Sequence, residues 1–254
     1  MVASNFLQPR ETCGKSELAM FEQRPTQTDI ESSHYERIYP LNNVQNNTGP
    51  IEFYIQGSAD HYLDMDETKL CLKIKATKKD GKNLEEANTK VIPVNNLLHS
   101  LFSDVSCIMN ETQVEGGTHM YAQKAYLCNL MLYGSEAKKC QLQTSGFIKD
   151  EAGKSGDATN TGYVARQKWI HKSRTHDLIG PLHLDICNQG KLIIPQVDVR
   201  LKLLRSKPEF YMVSLKPTDA TDPVETKIDI VEAFLLVRRV KVSADVIRNH
   251  ETGL

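Results

Sequence analysis

The sequence predicts an all-β domain, a sandwich or barrel of about eight short antiparallel strands with one helix set among them. Three observations carry this. Segments of period-two alternation recur from Ile51 to Val242. No alternation of strand with helical pattern runs along the chain, as a parallel α/β sheet would require. Helical spacing is sustained once, between about residues 118 and 133. The 254 residues leave room for one large β domain.

Residues 1–40 are polar, carry Pro9, Pro25 and Pro40, and lack periodicity. They read as an extended N-terminal arm that orders against a neighbour, with a single domain over 41–254. Ile51 to Ile55 alternates between Gly49-Pro50 and Gly57, which bounds a short strand. Leu70, Leu72, Ile74 and Ala76 then alternate with Lys69, Cys71, Lys73 and Lys75. One face is buried and the other is a lysine row in water. Asp80-Gly81 turns the chain.

The stretch Val91–Asp150 holds the best helix. Val105–Val114 reads as one strand, ended by Gly116-Gly117. Thr118 is placed to cap the helix that follows, and Gly134 to stop it. Ala122, Ala125, Tyr126 and Tyr133 recur at helical spacing, and Leu127, Leu130 and Met131 widen the apolar face. That predicts a well-buried helix. Glu151–Gly162 is rich in Gly, Asp, Asn and Thr and reads as a surface loop.

Strands resume with Leu182, Leu184 and Ile186, which alternate with His183 and Asp185. Val197, Val199, Leu201 and Leu203 give the cleanest alternation of all. Phe210–Val213 is a short strand, and a turn follows through Pro217, Asp219, Asp222 and Pro223. Lys227–Val242 is the last strand. Its Arg238, Arg239 and Lys241 alternate with Val240 and Val242, which suits an edge strand guarded by positive charge.

Formal net charge is -1, so charge alone calls for neither nucleic acid nor membrane. No apolar run is long enough to span a bilayer, and the first residues lack the basic-then-apolar pattern of a secretory leader. Cys13, Cys71, Cys107, Cys128, Cys140 and Cys187 never form C-x-x-C and read as reduced thiols. Asn46 and Asn110 head glycosylation sequons that mean little without secretion.

Candidate chemistry fails on spacing. Gly153-Lys154-Ser155 and Gly14-Lys15-Ser16 look like the end of a phosphate loop, but Ile148 and Pro9 stand where the leading glycine belongs. His171, His176 and His183, with Asp177 and Asp185, lack the tight pairing of a zinc site. Asp60, Asp64, Asp66 and Glu67 lack the glycine of a calcium loop and read as an acidic turn. His99, Ser100, Asp104 and Cys107 supply nucleophile, base and acid in no recognised context. No catalytic, cofactor-binding or metal residues emerge, and no enzyme is predicted.

Several blocks together resemble one family. They are Thr26–Glu31, Gly49–Phe53, Tyr62–Asp64, Pro93–Ser103, Asn110, Tyr121, Ala125-Tyr126, Leu130 and Tyr133-Gly134. Glu136–Lys139, Gln141-Leu142, Lys149-Asp150, Leu203–Lys207 and Leu235–Lys241 follow in the same order. The chain resembles the major capsid proteins of Polinton (Maverick) elements and adintoviruses from about residue 26 onward. The resemblance implies a jelly-roll sandwich of eight strands with the helix at about 118–133 inserted, the first of two such rolls in one polypeptide. It implies a structural role without cofactors: self-association into trimeric capsomers, contact with other capsid subunits and a second roll, and assembly of an icosahedral shell. The implied location is the virion, or otherwise the nucleus or cytoplasm of a eukaryotic host cell. A single-jelly-roll minor capsid (penton) protein and a jelly-roll carbohydrate-binding module are the alternatives.

Overall fold

A computed structural model describes residues 27–45, 49–84, 91–154, 156, 157, 159–214 and 226–253. Within them two four-stranded sheets face each other. The first runs β1 (Ile30–Ile38), β10 (Thr226–Val242), β3 (His61–Lys78) and β7 (Thr175–Pro181). The second runs β2 (Ile51–Ile55), β8 (Val199–Arg205), β5 (Phe102–Met109) and β6 (Thr112–Glu115). A separate two-stranded ladder joins β4 (Val91–Pro93) to β9 (Met212–Ser214).

The pairing of the eight sandwich strands is nested. β1 pairs with β10, β2 with β8, β3 with β7 and β5 with β6, all antiparallel. First meets last, second meets seventh, third meets sixth, and fourth meets fifth. A long hairpin rolled over on itself gives this order, and that is the jelly roll.

Alternation explains the core. Ile51, Phe53 and Ile55 of β2, Val105 and Cys107 of β5, and Val199, Leu201 and Leu203 of β8 are all buried on one inner face. Leu70, Leu72 and Ile74 of β3 meet them from the other, with Leu178 of β7 and Ile228, Ile230, Leu235 and Val237 of β10. Burying each large aliphatic side chain stabilises by about 1.5–3 kcal/mol.

Several expectations change. The segment Ile30–Ile38, read as part of an arm, is a strand whose residues are nearly all exposed. It lies at the sheet edge outside β10, so Arg238, Arg239 and Lys241 sit on an interior strand and not at an edge. Their charge is met locally: Lys241 pairs with Glu31 at 3.1 Å, Arg239 with Glu36, and Arg238 with Asp64 at 3.1 Å. Val105–Val114 is not one strand. Asn110 and Glu111 take positive φ (42° and 69°) and fold it into the β5–β6 hairpin. Asp64, Asp66 and Glu67 belong to β3 itself, not to a turn before it. The strand expected at Leu182–Ile186 lies upstream as β7. Leu182 and Leu184 are buried along an extended strap that ends in a 3-10 turn at Asp185–Cys187. The turn through Pro217 to Pro223 lies outside the described residues, as do residues 1–26 of the expected arm.

There are six α-helices among the described residues, not one: α1 (Leu97–Ser100), α2 (Tyr121–Leu132), α3 (Ser135–Lys139), α4 (Thr161–Ile170), α5 (Pro208–Tyr211) and α6 (Ala244–Gly253). α2 is the expected helix, entered at Met120 with no side-chain cap, so Thr118 does not cap it. α4 begins where a loop was expected. Asn160 caps it, its side chain accepting from the Gly162 amide at 3.0 Å. α6 lays Val246 and Ile247 against Tyr62, Val240 and Val242, a small second core.

Arg166 of α4 ties the helices to β4. It is 1% exposed and donates to the Pro93 and Ile148 carbonyls, each at 3.0 Å, and to Asp150 at 2.8 Å. Arg166→Leu strands two carbonyls and a carboxylate. We expect a loss of about 3 kcal/mol, read as a lower urea midpoint at unchanged slope. A loss below ~1 kcal/mol would show that Arg166 is not a tie.

Candidate functional site

The sequence candidates are best followed from α2, because that helix has one buried face and one exposed face. Its inward side chains are Tyr121, Ala122, Ala125 and Asn129. Asn129 donates to the Asn96 side chain at 3.0 Å, and Asn96 holds the left-handed turn (φ 58°) that starts α1. The Tyr121 hydroxyl accepts from the His183 amide at 3.4 Å and shares a hydrogen bond with His99 Nδ1 at 3.1 Å. The His99 and His183 rings stand edge to face, 4.6 Å between centroids.

This cluster joins three elements: α1 through His99, α2 through Tyr121, and the strap after β7 through His183. Both histidine Nε2 atoms are buried without a hydrogen-bond partner. Burial, and then the neighbouring His183, hold the pKa of His99 well below its ordinary value. Burial, and then the Lys124 ammonium, lower His183 to about 4. Burial pushes the Tyr121 hydroxyl up. Lys124, bridged to Glu115 and Asp185 at 2.7 Å each, is the cation that acts on His183, and Cys187 is a buried thiol that acts on Tyr121. The rings stay neutral. This is a polar joint in the core.

The outward side of α2 is apolar. Leu127, Leu130 and Met131 are 55%, 40% and 81% exposed, so this helix is only half buried, against expectation. The sequence carried the sign of it, since apolar residues run all round the helix. We read that as burial by its own chain.

The other sequence candidates do not converge. Ser100 Oγ donates to the Asn95 and Asn96 carbonyls, not to His99. Asp104 accepts from the amides of Gly117 and His119 and shapes the turn before α2. Cys107 is buried with its thiol pushed up to about 11, mainly by desolvation. His176 stacks on Trp169, 5.0 Å away, while His171 ends α4, so neither meets His183. Asp60 is spent on Ser58 and His61. Lys154 pairs with Glu151 in a loop, and Ser155 and the Gly14 motif lie outside the described residues. Among the described residues no three His, Cys, Asp or Glu side chains converge as metal ligands, and the five described cysteines are free.

These observations define a class first: an eight-stranded jelly roll with helices on its connections. Solved structures agree on that fold. The chain is similar to the Sputnik virophage structure, with TM-score 0.57 and 12% identity over 96% of this chain and 53% of that one. It is also similar to the PBCV-1 virus capsid (TM-score 0.52, 10% identity) and to PBCV-1 VP54 fitted into a reconstruction of Sputnik (TM-score 0.51, 9% identity). Each of those two matches covers 89% of this chain and 46% of the other. An uncharacterized Caenorhabditis elegans protein is 27% identical over 191 residues, 73% of this chain and 44% of that protein. The chain thus spans less than half of that relative. No protein-family model matches it.

The histidine pair makes stability depend on acidity. A group whose folded pKa is depressed binds more protons unfolded, so stability rises with pH between the two values. We expect a flat melting temperature above about pH 7 and a decline from about pH 6.5 down to about 4. For His183 alone the full loss is on the order of 3 kcal/mol. His183→Gln should flatten this slope in a thermal melt series. An equal slope in wild type and variant would assign the acid sensitivity elsewhere.

Proposed function

We propose that this chain is a structural capsid protein: the first jelly roll of a double-jelly-roll major capsid protein, built for assembly and not for catalysis. The observation that carries the reading is the nested eight-strand pairing, matched over nearly the whole chain to half the length of capsid structures from PBCV-1 and Sputnik. A polypeptide with two rolls accounts for that share. The block resemblance to Polinton and adintovirus capsid proteins supports the finer placement. On this reading residues 41–254, with the β1 edge strand, form one roll, and the earlier residues serve as a contact arm. Copies associate into trimeric capsomers and tile a shell in the virion.

The non-enzymatic part rests on the geometry above. The residues that could supply acid, base and nucleophile are occupied in turns, caps and core. A carbohydrate-binding module fits less well, because Trp169 lies on α4 stacked against His176 and not on an open sheet face. A single-roll penton protein remains the rival within the capsid class.

Negative-stain imaging of the chain, alone and joined to the sequence encoded downstream, tests the proposal. Ordered threefold capsomers or shells from the longer protein are expected. Shells or fivefold rings from this chain alone would favour the penton reading. Dispersed monomers from both would overturn the capsid role.

A further inference from the structure

The joint of His99, Tyr121 and His183 ties together three elements that are held with unequal strength. α1 buries Leu97 and Leu98 completely, and the strap after β7 buries Leu182 and Leu184. The buried residues of α2 are Tyr121, Ala122, Ala125 and Asn129, and its first turn has no side-chain cap. Two alanines bury little apolar area. The helix therefore leans on the hydrogen bonds of Tyr121 and Asn129 and on the two Lys124 bridges. An element with few buried apolar contacts opens before the rest of a domain does.

A proton added to either imidazole finds nothing to compensate it. His99 Nε2 stands against Gly180, where an added Cβ would lie 3.6 Å from it and 2.8 Å from a Leu98 methyl. Neither His99 Nε2 nor His183 Nε2 has a hydrogen-bond partner, and the rings lie 4.6 Å apart, so a charge on one faces the other. The groups around them are already engaged. On β5, Asp104 accepts from the Gly117 and His119 amides, and Cys107 is a buried thiol. On β6, Glu115 accepts from Lys124 and from the Asp185 amide. On the strap, Asp185 accepts from Lys124, and Cys187 is buried. Asp66 of β3 is exposed to water. Lys124 of α2 is itself a cation and opposes a second positive charge.

We propose that this joint is an acid-operated latch: a proton on His99 or His183 releases α2 from the roll while the two sheets stay folded. Opening carries Tyr121 away with its helix and lets water reach both rings, where the added charge is hydrated. The aliphatic side chains between the sheets have no proton to gain, and the β10–β3 ladder is built without α2. The sign follows from linkage. The closed joint holds its imidazoles neutral and the open one lets them charge, so each step down in pH below about 6.5 favours opening.

The latch belongs to this chain whatever its role, so its failure leaves the capsid reading intact. Hydrogen exchange of the full chain at pH 7 and pH 5 tests it, read by mass spectrometry on peptides from α2 and from β10. Protection factors are compared, which divides out the pH dependence of exchange itself. The lower pH stays above the ordinary carboxylate range, so the Lys124 bridges persist. With His183 titrating at about 4 when closed, α2 should lose protection roughly twentyfold or more between the two, and β10 should not change. In His99→Asn/His183→Gln neither side chain titrates, and the asparagine keeps a polar atom near the place of Nδ1. Its α2 protection should be equal at both pH values. Tyr121→Phe keeps both imidazoles but removes the tie, so its α2 should be less protected already at pH 7. Equal losses in α2 and β10 would mean global unfolding and overturn the proposal, as would α2 protection that holds at pH 5. Both of those outcomes are read in the wild type, so a variant that folds poorly leaves the test standing. A folded double variant that loses α2 protection as the wild type does would also overturn it.

Discussion

The fold depends on one insertion: β10, near the end of the chain, must enter between β1 and β3. The β10–β3 ladder runs from Thr226 against Lys78 to Lys241 against His61. It joins residues far apart in sequence, so loop closure is lost before the core rewards it. Two bulges make the long ladder workable. One falls between Ile230 and Glu232, the other between Leu236 and Arg238. Without the first, the period of two would turn Ala233, Leu235 and Val237 out of the core. With it, all three are buried.

That constraint also decides what a sequence reader can see. β2, β3, β8 and β10 have one face in the core and one toward water, so their alternation was legible. β1 covers only the flank of β10. Having little to bury, it carries polar residues at both phases, and its pairing with β10 leaves no local trace. The Asn110-Glu111 turn was hidden because glutamate rarely takes positive φ; only the asparagine hints at it. α4 was masked by its own cap: the Asn and Gly that start the helix are also the residues that mark loops.

The site was legible in parts and misassigned in role. His99, Ser100, Asp104 and Cys107 are near one another in sequence and look like chemistry. In space each answers a structural need: a joint, a helix turn, a β-turn and the core. The partner of His99 is His183, 84 positions on, and no spacing rule reaches that far. The apolar residues Leu127, Leu130 and Met131 were read as widening a buried face of α2, and they are exposed. What the sequence could not say is whether cover comes from its own chain.

The two faces of α2 are mechanically linked. Tyr121 holds the inner face through a hydrogen bond to a histidine that must stay neutral, and Asn129 holds it through Asn96. The exposed Leu127, Leu130 and Met131 are carried by the same twelve-residue helix. A purely apolar interior would pack α2 as well, but apolar contacts lack direction and would let the helix slide or roll. Hydrogen bonds at both ends of the inner face fix rotation and register. The cost is two buried imidazoles with unpaired nitrogens, whose neutrality fails in acid. The orientation of α2 and the acid sensitivity of the fold therefore share the side chains His99, Tyr121 and His183.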